Sequence, residues 1–148
     1  MGPNEASWIV IGAAMKVHSA LGARVLESVC DTCPLYELTQ AGLHFEHQVR
    51  LPVVYSGIHL SSAYRVDFIV ENCLIVELKC VEKLLPVHSA QVLPYLKLSG
   101  LSLGLLLNFN VPHMRQGFAG LSMVRGLALV IFLCVLRVTV PTRRIDIG

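Results

Sequence analysis

No apolar stretch in this sequence is long enough to cross a bilayer, although apolar residues make up 54% of it and only 15% are charged. The longest uninterrupted run, Gly126 to Leu136, is bounded by Arg125 and Arg137 and reaches about half of the roughly 20 residues that a spanning helix requires. An integral membrane span is therefore not expected, despite a mean hydropathy of +0.63. No basic segment followed by an apolar one opens the chain, so no secretory signal is expected either. The five cysteines include one close pair, Cys30 and Cys33, and no second Cys or His pair follows at the spacing of a structural zinc site. Reduced, mostly buried thiols in a cytoplasmic chain are the expectation. Charge of one sign is also scarce, with a formal net charge of +2. Arg50, Arg65, Lys79, Lys83, Lys97 and Arg115 form a nucleic-acid-binding patch only if folding gathers them. A sticky, weakly charged surface of this kind also suits a homodimer.

What the sequence does have is an unusual hairpin. At 148 residues the chain is one domain with room for a sizeable core. Within Ala63–Cys80, two apolar runs, Val66–Val70 and Leu74–Leu78, flank Glu71-Asn72, which reads as a turn. Asp67, Glu77 and Lys79 stand where a plain core strand would carry Val or Ile, and ionised groups in buried strands cost several kcal/mol each unless paired or metal-bound. Glu77 and Lys79, two apart, share a strand face. Asp67 joins them only if the connection centres on Asn72; a two-residue turn would set it opposite Val76 instead. A three-residue connection, or a bulge near Cys73, is therefore predicted. Two carboxylates and a lysine on one face form a hard-oxygen site suited to Mg²⁺ or Mn²⁺. Spacing alone leaves an ordinary hairpin with a surface salt bridge equally open.

Asp67, then Glu77-Leu78-Lys79, then Gln91 and Tyr95 on a following helix resemble the PD-(D/E)XK nuclease superfamily in its RecB-like branch. The segments VHSALGARVLESV, FEHQVRLPVVYSG, YRVDFIVEN and LIVELKCVEKLLPVHSAQVLPYLKLSGLSLGLLLNFNVP, with Gly117, look like the small GxxExxY proteins. The resemblance runs from about Ala14 to Gly117 and includes Gln48. It implies an α/β fold with a small mixed β-sheet flanked by helices, and metal-dependent hydrolysis of nucleic acid, DNA ahead of RNA. Asp67 and Glu77, helped by Glu27, would bind Mg²⁺ or Mn²⁺. Lys79 would orient or activate the attacking water, and Gln91 and Tyr95 would face the site and position substrate.

The chain departs from these relatives on two helices. The Gly and Tyr of the family motif align with Arg24 and Cys30, which leaves only Glu27. Pro34 and Pro94 fall inside helices, where each removes a hydrogen bond and costs about 3 kcal/mol. Glu27 also has a plainer explanation, since a carboxylate in a first turn is favoured by the helix dipole. Gln91 and Tyr95 could likewise belong to a polar helix face covering the sheet.

The remaining elements follow from local patterns. Glu5–Leu21 reads as an amphipathic helix ended by Gly22, with His18 packing or at the surface. A second helix runs from about Val25 to Gln40, and a strand covers Leu43–Tyr55 with Phe45, His47, Val49, Leu51 and Val53 on alternate positions. Pro52 places that strand at an edge or on a bulge. Pro86 opens a third helix, where His88 shares a face with Gln91 and Tyr95 and which Gly100 closes. Leu103–Phe109 reads as a buried strand. Residues 1–120 form the nuclease-like domain. The apolar extension 121–148 is read as packing on it, as a helix or as a strand across a dimer. A nuclease-like fold that no longer cuts, and serves as a nucleic-acid-binding or interaction module, is the second functional expectation. A membrane-peripheral role through the tail is the third.

Overall fold

A computed structural model describes the backbone of residues 1–124, 127–131 and 143–145, and the side chains of residues 1–61 and 64–123. Helices α1 (Pro3–Leu21) and α2 (Glu27–Gln40) precede strands β1 (Phe45–Tyr55), β2 (Ile58–Val70) and β3 (Leu74–Lys79). Helix α3 (Pro86–Ser99) then leads to β4 (Leu103–Asn108), a short 3-10 helix (Met114–Gln116), and β5 (Phe118–Val124), β6 (Leu127–Ile131) and β7 (Arg143–Ile145). All strands lie in one sheet in chain order. Neighbours are antiparallel except β3 and β4, which run parallel and are joined by α3. The result is the expected mixed α/β sandwich.

Side-chain alternation on β3 and β4 explains the layers. Leu74, Val76 and Leu78, with Leu103, Leu105 and Leu107, pack under α1 and α2 against Val10, Ile11, Ala14 and Leu38. The intervening Ile75 and Leu106, with Leu121, pack under α3 against Val92, Leu93 and Leu96. Strands buried on both faces read as continuous apolar runs, and each fully buried Leu or Ile contributes about 1.5–3 kcal/mol. Gly104 lets α3 approach, because a Cβ there would stand 2.7 Å from Val92 Cγ1.

The helix ends follow their residues. Pro3 and Pro86 occupy first-turn positions, where the missing N–H is no loss. His88 caps α3, its Nδ1 accepting the Leu85 N–H at 2.8 Å. His18 is buried, with Nε2 2.7 Å from the Val111 carbonyl oxygen, so it is a packing residue. Both α2 and α3 run through their interior prolines as single elements.

One expectation needs correction, and one open reading is narrowed. The β1 positions Phe45, His47, Val49, Leu51 and Val53 do not keep to one face. Phe45 packs with the α1–α2 layer, whereas Val49 and Leu51 pack with the α3 layer. The cause is Gln48, whose φ of 55° puts a left-handed residue in mid-strand. Second, where the tail's reading left helix and strand open, Leu127–Ile131 and Arg143–Ile145 are strands of the same sheet; the rest of 125–148 lies outside the described residues. Pro52 behaves as its chemistry requires: β1 is an edge strand and its register shifts between Leu51 and Val53.

Asn108, fully buried at the end of β4, holds the segment that follows Lys79. Its Oδ1 accepts the Val81 N–H at 3.0 Å and the Asn110 N–H at 3.2 Å, and its Nδ2 donates to the Val81 carbonyl at 2.8 Å. Asn108→Ala strands these groups without partners. We expect it to cost about 2–4 kcal/mol, at roughly 1–3 kcal/mol per buried polar group left unpaired, measured as a lower urea midpoint at unchanged slope.

Candidate active site

The site begins with the turn between β2 and β3. Glu71 and Asn72 adopt φ values of 51° and 53°, and the Cys73 N–H donates to the Val70 carbonyl at 3.0 Å. The Glu71 carboxylate accepts the His44 N–H at 2.6 Å, which ties the turn to the start of β1. The connection thus has the three residues Glu71, Asn72 and Cys73, and the strand pairs are Val70–Leu74, Ile69–Ile75 and Phe68–Val76. Extending that register by one residue sets Asp67 against Glu77, as the charge pattern required.

At this point the ladder gives way to side chains. The Leu78 N–H donates to Asp67 Oδ2 at 2.8 Å, and the Asp67 N–H reaches Glu77 Oε2 at 3.4 Å. Lys79 Nζ lies 3.9 Å from Glu77 Oε1. Facing also changes along β2, since Phe68 packs in the α1–α2 layer and Val66 in the α3 layer. The sheet opens where Asp67 lies, and the two carboxylates and the lysine line a cavity of about 420 Å³. Glu27, Asp31, Gln48 and Arg65 line it with them.

The electrostatics reflect crowding of negative charge. Burial, and then repulsion from Asp67, push Glu77 up to about 7, with Lys79 opposing. Asp67 is raised as well, chiefly by burial; the Leu78 N–H and Lys79 pull it down, while Asp31 pushes it up. Two carboxylates that resist joint ionisation mark a place where a cation would be held strongly.

Of the residues singled out in the sequence, Asp67, Glu77 and Lys79 are brought together, and Glu27 stands exposed at the rim of their cavity. Gln91 and Tyr95 line a neighbouring cleft of about 440 Å³ in which Lys79 is the shared wall, so they approach from its other side. Tyr95 is half-buried against Tyr64, ring centroids 5.7 Å apart. Burial raises its hydroxyl pKa, and the charges of Glu77 and Asp67 raise it further. Gln91 is exposed. Sequence reasoning passed over Asp31, although it lies one turn beyond Glu27 on the same helix face. Arg65, two residues from Asp67, was counted there only toward a basic patch and not toward this cavity. Cys30 is buried with Sγ 2.6 Å from Cys80 Sγ, and its thiol is pushed up to about 12, mainly by burial.

The donor set suits a hard divalent cation. Among the described residues no three His, Cys, Asp or Glu side chains cluster closely enough to hold a metal ion by themselves. Mg²⁺ needs no such cage, because it retains several waters and takes one or two carboxylates. Asp67 and Glu77 are the two carboxylates that could hold such an ion here.

Among the described residues no helix is long and apolar enough to cross a membrane. The model of the PD-(D/E)XK nuclease superfamily matches residues 4–121, most of the chain and every element of the site. Neither the curated proteins nor the solved structures contain a match.

Proposed function

The chain belongs to the PD-(D/E)XK nuclease superfamily, and from that premise we propose that it is a cytoplasmic, divalent-metal-dependent nuclease that hydrolyses phosphodiester bonds of DNA. The likeness of the segments quoted above supports grouping it with the GxxExxY proteins of the RecB-like branch. The observation that carries the reading is the convergence of Asp67, Glu77 and Lys79 on one cavity where β2 and β3 part. Asp67 and Glu77 are the residues that hold Mg²⁺ or Mn²⁺, with Glu27 at the rim. Once bound, the ion supplies Lewis-acid polarisation of the phosphate and charge neutralisation at the departing oxygen. Lys79, already beside Glu77, orients the attacking water and offsets negative charge in the transition state. Tyr95 and Gln91, across the lysine, contact the substrate strand and fix its position.

Incubation with single- and double-stranded DNA and RNA, with Mg²⁺, with Mn²⁺ and with chelator, tests the proposal. Cleavage of DNA that chelator abolishes is the expected result. No cleavage of any of the four under either metal would remove the enzymatic reading. A second reading, a nuclease fold that binds nucleic acid or another protein without cutting, is favoured by the lack, among the described residues, of a third His, Cys, Asp or Glu clustered with the two acids, and by Cys30 at the motif position. Metal titration separates the two: a working centre binds Mn²⁺ and gains thermal stability, a relic does neither.

A further inference from the structure

Gln48 lies on β1 between His47 and Val49, which pair with Phe68 and Val66, so it stands opposite Asp67 across the β1–β2 pair. Three features set it apart. Its φ of 55° is the left-handed conformation, which is unfavourable for a non-glycine residue. Its side-chain Oε1 is, among the described residues, the one buried side-chain nitrogen or oxygen with no hydrogen-bond partner, and such an orphan is costly. It lines the same cavity as Asp67, Glu77 and Lys79. Strain and an unmet polar atom at one residue are retained where the surroundings use them.

The amide's orientation indicates the use. Gln48 Nε2 lies 3.3 Å from His47 Nε2, and the His47 ring stacks on Phe68 with centroids 4.8 Å apart. The nitrogen end is thereby occupied, and the carbonyl oxygen is left without a partner on a residue that lines the acidic cavity. A carbonyl oxygen gains nothing from ionised carboxylates, which are acceptors only. What it and the two carboxylates have in common is affinity for a hard cation.

We propose that Gln48 is a third protein donor of the divalent-cation site, its side-chain carbonyl oxygen joining the Asp67 and Glu77 carboxylates. The inference rests on the metal-site reading above and extends it to a neutral ligand on the neighbouring strand. It also gives the left-handed backbone at Gln48 a purpose, because the residue leaves the ordinary alternation of β1 at the position facing Asp67.

Calorimetric titration of the full chain with Mn²⁺, without nucleic acid, tests it. Gln48→Met keeps the length of the side chain and removes the oxygen. Gln48→Gly removes the side chain at a φ that glycine adopts freely, so the fold is retained even if methionine is not accommodated. Both should bind Mn²⁺ about tenfold more weakly than wild type, a loss typical of removing a group from a metal's surroundings. Gln48→Glu restores an oxygen donor and should bind at least as tightly as wild type. Wild-type binding left unchanged in the Met and Gly variants would overturn this proposal alone. A Glu variant as weak as the Met variant would overturn it too, since the amide nitrogen would then be the working end. No Mn²⁺ binding by the wild type would overturn the metal reading and this inference together.

Discussion

Lys79→Ala and Asp67→Asn should each reduce Mg²⁺-dependent cleavage of DNA by about a thousandfold, within the range of 10²–10⁴ that a positioned proton-transfer or charge-stabilising group contributes. The two variants lose different things. Lys79 sits between the acidic cavity and the Gln91–Tyr95 cleft, so its removal leaves metal binding possible and deprives the reacting phosphate and water of their nearest ammonium. Its ion pair with Glu77 is long, at 3.9 Å, and its loss should change stability little. Asp67 also has a structural duty, because its Oδ2 accepts the Leu78 N–H where the strand ladder ends. Asp67→Ala therefore carries a folding cost of about 1–3 kcal/mol from that unpaired N–H, whereas Asp67→Asn keeps an acceptor there and removes the charge. Single-turnover cleavage on a labelled duplex, with melting temperatures beside it, separates chemistry from folding. Wild-type rates in both variants would leave the cavity without a catalytic role.

The sequence went furthest where charge interrupted an apolar pattern. Asp67, Glu77 and Lys79 were conspicuous because strands with buried faces do not carry ionised groups without cause. The need to bring them to one face fixed a connection centred on Asn72, and the turn Glu71-Asn72-Cys73 has that form. Likewise, Leu103 to Leu107 has no alternation because helices cover both faces of β4. What stayed hidden depends on backbone conformation. Gln48 adopts a left-handed φ that no local residue type announces, so the regular alternation of Phe45, Val49 and Leu51 concealed a change of face. The side on which Gln91 and Tyr95 approach was equally hidden, because it depends on the parallel crossover through α3 and not on their spacing. Asp31 and Arg65 reach the cavity through tertiary placement of α2 and β2. Asp31 could have drawn notice only through its separation from Glu27, and Arg65 stood out only as one of several scattered cations.

Without metal, the protein should lose stability as pH rises from about 5 to about 8, the reverse of ordinary acid denaturation. The sign follows from Glu77, whose folded-state pKa is pushed from 4.5 up to about 7 by burial and by Asp67. Below 4.5 the carboxyl is protonated in both states and makes no difference. Between 4.5 and about 7 the unfolded chain releases the proton while the folded chain keeps it. The folded state then binds more protons, and stability falls with rising pH. Above about 7 the full penalty of a buried carboxylate beside another is present. Asp67, raised in the same direction, adds to the slope. The interval is worth on the order of 3 kcal/mol, which for a chain of this size corresponds to roughly 6–12 °C in melting temperature. A divalent cation reverses the trend, because it takes the place of the proton. Mn²⁺ should raise the melting temperature little at pH 5 and most at pH 8, its apparent affinity climbing up to about tenfold per pH unit below the Glu77 transition. Glu77→Gln cannot titrate and should flatten most of the metal-free slope while losing the Mn²⁺ response. Melting curves across this range in chelator and in Mn²⁺ decide the matter. A metal-free stability that is level or rising over the window, or a Mn²⁺ effect equal at pH 5 and pH 8, would show that Glu77 and Asp67 do not share the crowded, cation-seeking cavity on which the nuclease reading depends.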